Sequence, residues 1–356
     1  MSWHTVCVSY YDDDKDDLIL DAVRPLFAGL STAVTGAHFL RHWRRGPHLR
    51  LNVRTTGAAM AAEVLPAVDG IVGGFLAAHP STSAVDPQAL LPEHRKLAKA
   101  EQDTGPLWPW RPDNTVSVEP YDCRAHVLGG REAAEAIADF YTATSGSAFA
   151  ATEAVRAGQQ RLWLAFELMV ATSHAFAAEG LRRGYVSFRA HAEVFLAGTG
   201  AADRWRADWD RRYALAVPAL LDRLAGITAA VDGERDCPPV VAGWLAALRE
   251  FRRRGYPLVE SGELRLDHAP AGPPPPGASP FLRELVTNRE FHERLLPSPG
   301  FRRYRLLVNL LYLQLTRLGI RPVDRYLLAH FAANAAEDLY AVDAIQSLRS
   351  NVRVLS

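Results

Sequence analysis

Two short alternating runs constrain this chain more than any other feature. Ala37–Trp43 and His48–Arg54 each switch between apolar and polar residues, and Arg44-Arg45-Gly46-Pro47 separates them. That pattern predicts an antiparallel hairpin. In the second run Leu49, Leu51 and Val53 fall on one face, with His48, Arg50, Asn52 and Arg54 on the other. Taken alone, the polar face reads as the solvent side of the sheet.

The flanking sequence extends the sheet. Trp3–Tyr11 predicts an opening strand, followed by a helix over Leu18–Leu30 capped by Asp16 or Asp17. The acidic residues Asp12–Asp14, Asp16 and Asp17 could bind a cation, but a solvated turn favoured by the helix dipole accounts for them more simply. Residues 57–79 form an Ala-rich apolar helix, whose Gly70–Gly74 stretch suits helix packing better than phosphate binding. Leu91–Asn114 reads as an extended loop, with a short strand near Val116–Tyr121 after it. From Glu132 the pattern turns helical, over 132–144, 151–182, 187–197, 202–225 and 238–254. Ala269–Pro280, with Pro273–Pro276, reads as a polyproline-type loop. Helices near 300–318 and 322–341 follow. The predicted class is α+β: a sheet-containing part over 1–130 joined to a mostly helical part over 131–356, as two parts or one continuous domain.

Several function classes drop out. Lys and Arg together number 40 and Asp and Glu 40, so the chain lacks the basic excess of a nucleic-acid binder. Only Lys15, Lys96 and Lys99 are lysines; the other basic residues are arginines, suited to planar contact with carboxylates and phosphates, although a GC-rich coding bias gives the same skew. Nowhere do eighteen uncharged apolar residues run together, so no membrane span is expected. Cys7, Cys123 and Cys237 form neither a disulfide framework nor a zinc motif, and fit a reducing cytoplasm. Walker, dinucleotide-binding, His-Glu-x-x-His and nucleophile-elbow motifs are missing, so neither a metal nor an organic cofactor is expected.

Four polar groups remain as candidates. Arg41, Arg44, Arg45, His48, Arg50 and Arg54 on the hairpin could hold carboxylates of a peptide. Ser298 before Pro299 fits a helix N-cap, and Tyr304 falls two turns in, on a stripe with Leu307, Leu311, Leu315 and Leu318. A phenol there serves as a proton donor if the helix meets a cavity, and otherwise is a core tyrosine. Tyr326, His330, Asn334 and Asp338, four apart on the last long helix, line a pocket or form an exposed edge. His191, and Glu167 with His174 on a hydrophobic helix, are weaker candidates; such groups are more often satisfied buried polar residues than catalysts.

The N-terminal text resembles a known family. Trp3-His4 entering a strand, Tyr10-Tyr11-Asp12, Phe39-Leu40-Arg41-His42-Trp43 and Gly46-Pro47-His48-Leu49-Arg50-Leu51 are similar to the elimination domains of lantibiotic and thiopeptide dehydratases. Asn52 departs from the Arg usual there. The resemblance continues through Pro109–Tyr121 and Gly129-Gly130 to the helix Arg325–Asp338. It implies one of two activities: elimination of glutamate from glutamylated Ser or Thr, or the pyridine synthesis of thiopeptide pathways. In the latter, two dehydroalanines of one peptide join in a formal [4+2] aza-cycloaddition, with loss of water and leader peptide. His330-x-x-x-Asn334 resembles the eliminating enzymes, but Ala335 stands where they carry Arg, and Asp122–Gly130 departs from their Glu-x-x-Arg-Tyr-Gly-Gly phrase. Pro297–Tyr312 and Asp324–His330 look like the pyridine synthases, and on that basis Ser298 and Tyr304 are expected in the active site. His191 or His330 would accept the proton released on aromatisation. The resemblance also implies a leader-bearing precursor peptide as partner, dehydratases of the same pathway as possible partners, and no cofactor. A split-dehydratase lyase and a non-catalytic leader-binding partner are the alternative roles.

Overall fold

A computed structural model describes residues 1–265 and 273–353; the part of the expected proline-rich loop at 269–272 lies outside the described residues. The chain divides into two compact units. The first comprises Met1–Gly158 with Thr316–Gly319, and the second Gln159–Leu315 with Ile320–Ser356.

In the first unit β1 (Ser2–Ser9), β2 (Gly36–His42), β3 (His48–Thr55) and β4 (Thr115–Glu119) form an antiparallel sheet in the order β2-β3-β1-β4. The hairpin forms as its alternation demands, with Phe39 opposite Leu51 and Leu51 opposite Val6. One sheet face packs on helix α1 over 18–29 and helix α2 (Gly57–Ala78), burying Val6, Val8, Phe39, Leu49, Leu51 and Val53. Helix α2 presents Met60, Val64, Val68, Val72 and Leu76 to that core. Each four-residue step overshoots a 3.6-residue turn by ~40°, and wide i→i+5 turns within α2 keep the stripe in line.

The expectation of a solvent-facing polar side is corrected. His38, His48, Arg50 and Asn52 are buried, each below 10 % exposure. Helix α4 (Arg131–Ala143) packs beside β2, and its Tyr141 stacks on His38 at 5.3 Å. The face is therefore an internal polar layer. The Thr5 hydroxyl donates to Asn52 Oδ1 at 2.7 Å, and Asn52 Nδ2 reaches His38 Nε2 at 3.0 Å.

Local expectations fail where chemistry was read too coarsely. Residues 91–101 lie in α3 (Pro87–Glu101), capped by Asp86, although an extended loop was expected there. Neither Asp16 nor Asp17 caps α1; Asp14 instead accepts from the Asp16 N–H at 2.9 Å. The expected helix 151–182 is split by Gly158 (φ +106°) into α5 (Ser145–Arg156) and α6 (Arg161–Phe176). Both α4 and α5 belong to the sheet-containing unit.

The second unit is helical. After α6 come α7 (Leu181–Gly198), α8 (Ala202–Val231), α9 (Pro239–Ser261), α10 (Pro280–Thr287), α11 (Pro299–Arg317, its last two residues counted with the first unit), α12 (Pro322–Tyr340) and α13 (Ala344–Arg353). Helices α2 and α8 are long and apolar enough to cross a membrane by length and composition, although both carry charged residues. Each packs a stripe inward: α8 buries Trp209, Tyr213, Leu220, Leu224 and Ile227.

Candidate active site

Helices α11 and α12 carry most of the candidate chemistry of the second unit. Ser298 is half-buried, and its Oγ accepts from the Phe301 N–H at 3.4 Å, which makes it the N-cap of α11. Tyr304 points into the helical core rather than onto an open wall and is 5 % exposed. Its hydroxyl donates to the Gly184 carbonyl at 3.0 Å and lies 2.9 Å from Ser173 Oγ. Burial pushes this phenol up to about 12, so it is protonated at any physiological pH. Gly184 makes room for the pair, since a Cβ there would sit 2.2 Å from Ser173 Oγ and 3.0 Å from the Tyr304 hydroxyl.

His191 on α7 is half-buried, with Nδ1 2.6 Å from the Tyr312 hydroxyl. Burial, then the charges of Arg325 and Arg305, push this imidazole down to about 3. It is therefore neutral at physiological pH and only a weak proton acceptor. The Arg325 guanidinium lies over the Tyr312 ring at 4.6 Å and over Tyr326 at 4.9 Å. Tyr326 in turn stacks on Phe195 at 4.5 Å.

The four-residue polar stripe of α12 is neither an open edge nor a pocket wall along its length, because neighbouring helices satisfy it. His330 Nε2 lies 2.9 Å from Asp210 Oδ1, and Asn334 accepts from Arg189, which also pairs with Glu337 at 2.8 Å. Asp338 accepts from the Tyr213 hydroxyl at 2.6 Å. Burial, then the charge of Arg189, push the His330 imidazole down to about 3, with the Glu193 carboxylate opposing them. Glu167 lies in a separate cleft of about 390 Å³ and pairs with Arg223, while His174 pairs with Asp232 at 3.0 Å.

The hairpin arginines are not a free cationic row. Arg41 pairs with Asp16 at 3.1 Å, Arg44 with Asp103 at 2.7 Å, Arg45 with Glu119 at 3.3 Å and Arg54 with Asp139 at 2.8 Å. Arg50 differs. Its Nε donates to His48 Nε2 at 3.4 Å and its Nη2 is buried without an acceptor among the described residues. His48 in turn donates from Nδ1 to the Gly46 carbonyl at 2.8 Å.

Sequence reasoning proposed Ser298, Tyr304, His191 and His330 and assigned nothing to Ser173, Gly184, Tyr312 or Arg325. Tyr312 stands eight residues after Tyr304 on one helix, a spacing that could have flagged it. The roles of Ser173 and Gly184 depend on packing and leave no local signal.

The four-stranded antiparallel sheet of the first unit and the helical second unit make up an α+β fold of the elimination-domain kind. The chain belongs to the lantibiotic biosynthesis dehydratase C-terminal family, whose model matches residues 3–336. It is similar to the solved structure of the pyridine synthase TbtD from thiomuracin biosynthesis, with 39 % identity, TM-score 0.79, and coverage of 96 % of this chain and 100 % of TbtD. TsrL is similar in fold at 22 % identity and TM-score 0.71, covering 98 % of both chains. The tRNA-dependent lantibiotic dehydratase MibB from Microbispora sp. 107891 matches at 17 % identity and TM-score 0.52, over 95 % of this chain and 28 % of MibB. No curated protein matches this sequence.

Proposed function

We propose that this protein is a thiopeptide pyridine synthase. It joins two dehydroalanines of one leader-bearing peptide in a formal [4+2] aza-cycloaddition, then expels water and the leader. The carrying observation is the end-to-end similarity to a thiomuracin pyridine synthase at 39 % identity. The three free cysteines fit a reducing cytoplasm, where the peptide and the dehydratases that prepare it would meet the enzyme.

Holding two ends of one chain together is a problem of proximity, and good orientation supplies ~7–11 kcal/mol of such a barrier. One amide must pass through its imidic-acid tautomer to become the azadiene. In this reading the protonated Tyr304, buried in the free protein, meets the peptide only when α7 and α11 part, and then donates toward the amide oxygen and assists departure of water. Its hydroxyl already holds one neutral acceptor, the Gly184 carbonyl, so engaging a substrate oxygen exchanges one neutral hydrogen bond for another. Ser298 at the mouth of α11 orients the peptide. His191 and His330, both neutral and weakly basic in the free protein, would relay the proton lost on aromatisation toward solvent rather than keep it. The leader docks on the hairpin side of the first unit, through Arg50 and its ion-paired neighbours.

The test is mass spectrometry on a dehydrated, azole-containing peptide. A macrocycle together with released leader carboxamide is expected, and Tyr304→Phe should abolish it while leaving peptide affinity nearly intact. Release of free glutamate from a glutamylated linear peptide would instead support the lyase reading, which His330-x-x-x-Asn334 favours. Leader binding without either reaction would leave a binding role only.

A further inference from the structure

Arg325 differs from the arginines of the helical unit that meet carboxylates. Arg189, Arg206 and Arg223 each meet a carboxylate, respectively Glu337, Glu193 and Glu167. Among the described residues no carboxylate lies within ion-pair distance of Arg325. Its five N–H groups find one acceptor there, the Tyr326 hydroxyl at 3.2 Å from Nη2, and its Nε is buried with none. The residue as a whole is half-buried, with Nε its buried end.

The surroundings add no compensating charge. The rings of Tyr312 and Tyr326 lie within 5 Å of the guanidinium carbon, and the neighbouring imidazole of His191 is neutral. His191 spends Nδ1 on the Tyr312 hydroxyl, which leaves Nε2 for another partner. A cation held beside neutral aromatic groups and short of acceptors lacks an oxygen. A planar fork stacked on rings offers its donors in one plane, which suits a carbonyl or imidate oxygen.

We propose that Arg325 is a substrate-binding residue that takes an amide oxygen of the peptide being cyclised. The assignment rests on the pyridine-synthase reading for its substrate, but binding can be measured without turnover. The aromatic pair fixes the guanidinium plane, and its charge favours the amide form with most negative charge on oxygen.

The experiment compares Arg325→Gln and Arg325→Lys with wild type. A fluorescent leader-bearing dehydrated peptide and the leader alone are titrated by anisotropy, and urea midpoints are measured alongside. Loss of one charged hydrogen bond predicts about a tenfold or greater loss of affinity for the full peptide. Leader-only affinity should stay at the wild-type level. Arg325→Lys should recover only part of the loss, because it keeps the charge and not the fork. Unchanged full-peptide affinity in folded Arg325→Gln overturns the assignment, as does an equal loss for leader alone. If Arg325→Gln does not fold, the Lys variant decides by the same two affinities. A wild-type protein that binds the peptide and makes no ring refutes the cyclase reading, and the affinity ratio still judges Arg325.

Discussion

Gly184→Ala is the sharpest probe of the core beneath the proposed site, because two opposing effects can be sized. Gly184 lies in the first turns of α7, where Ala is worth ~1 kcal/mol more than Gly. An added Cβ would sit 2.2 Å from Ser173 Oγ, 2.7 Å from Ala177 Cβ and 3.0 Å from the Tyr304 hydroxyl. Relieving such contacts in a packed interior costs ~1–3 kcal/mol. Moving the hydroxyls apart forfeits the Ser173–Tyr304 and Tyr304–Gly184 hydrogen bonds, each ~0.5–1.5 kcal/mol. The balance is a destabilisation of ~1–5 kcal/mol, read as a lower urea midpoint by tryptophan fluorescence. Ser173→Ala removes the closest atom, so the double variant should be more stable than the sum of the singles, with a coupling of ~1–3 kcal/mol. A Gly184→Ala protein about 1 kcal/mol more stable than wild type, or strictly additive singles, would refute the packing argument.

Other outcomes follow from burial and charge. Leu51→Ala, fully buried opposite Val6, should cost ~2–5 kcal/mol in urea unfolding. His191 holds its pKa at about 3 when folded against ~6.5 unfolded. Below pH 6.5 the unfolded chain binds a proton that the folded one refuses, so stability falls from pH 6.5 toward pH 3 by up to ~1.4 kcal/mol per pH unit for this residue. His38, His42 and His48, also depressed by burial, steepen the decline. Urea midpoints at pH 8, 6.5 and 5 should show it, and His191→Gln should show a shallower slope. Leader affinity should weaken several-fold as salt rises, and Arg50→Gln should lower it more than Arg45→Gln, since Arg45 is already paired; affinity independent of salt would count against docking on the hairpin arginines.

The hairpin, the apolar face of its second strand and the helical second half were legible in the sequence, while the register came from the structure. Alternation with period 2 and apolar stripes near period 3.6 are written in residues a few places apart, and the sheet formed as Leu49, Leu51 and Val53 required. Punctuation was less legible: Gly158 breaks a helix that the apolar pattern alone would carry through. Tertiary structure alone decided the fate of the charges. Arg44 meets Asp103, Arg45 meets Glu119 and Arg54 meets Asp139, partners that stand 59, 74 and 85 residues away. The same holds for Arg325, because whether a guanidinium finds a carboxylate depends on which distant helix faces it, and neither composition nor spacing carries that information. Burial of the polar sheet face was invisible for the same reason: strand alternation separates two faces, but only the elements packed on each decide which of them meets water.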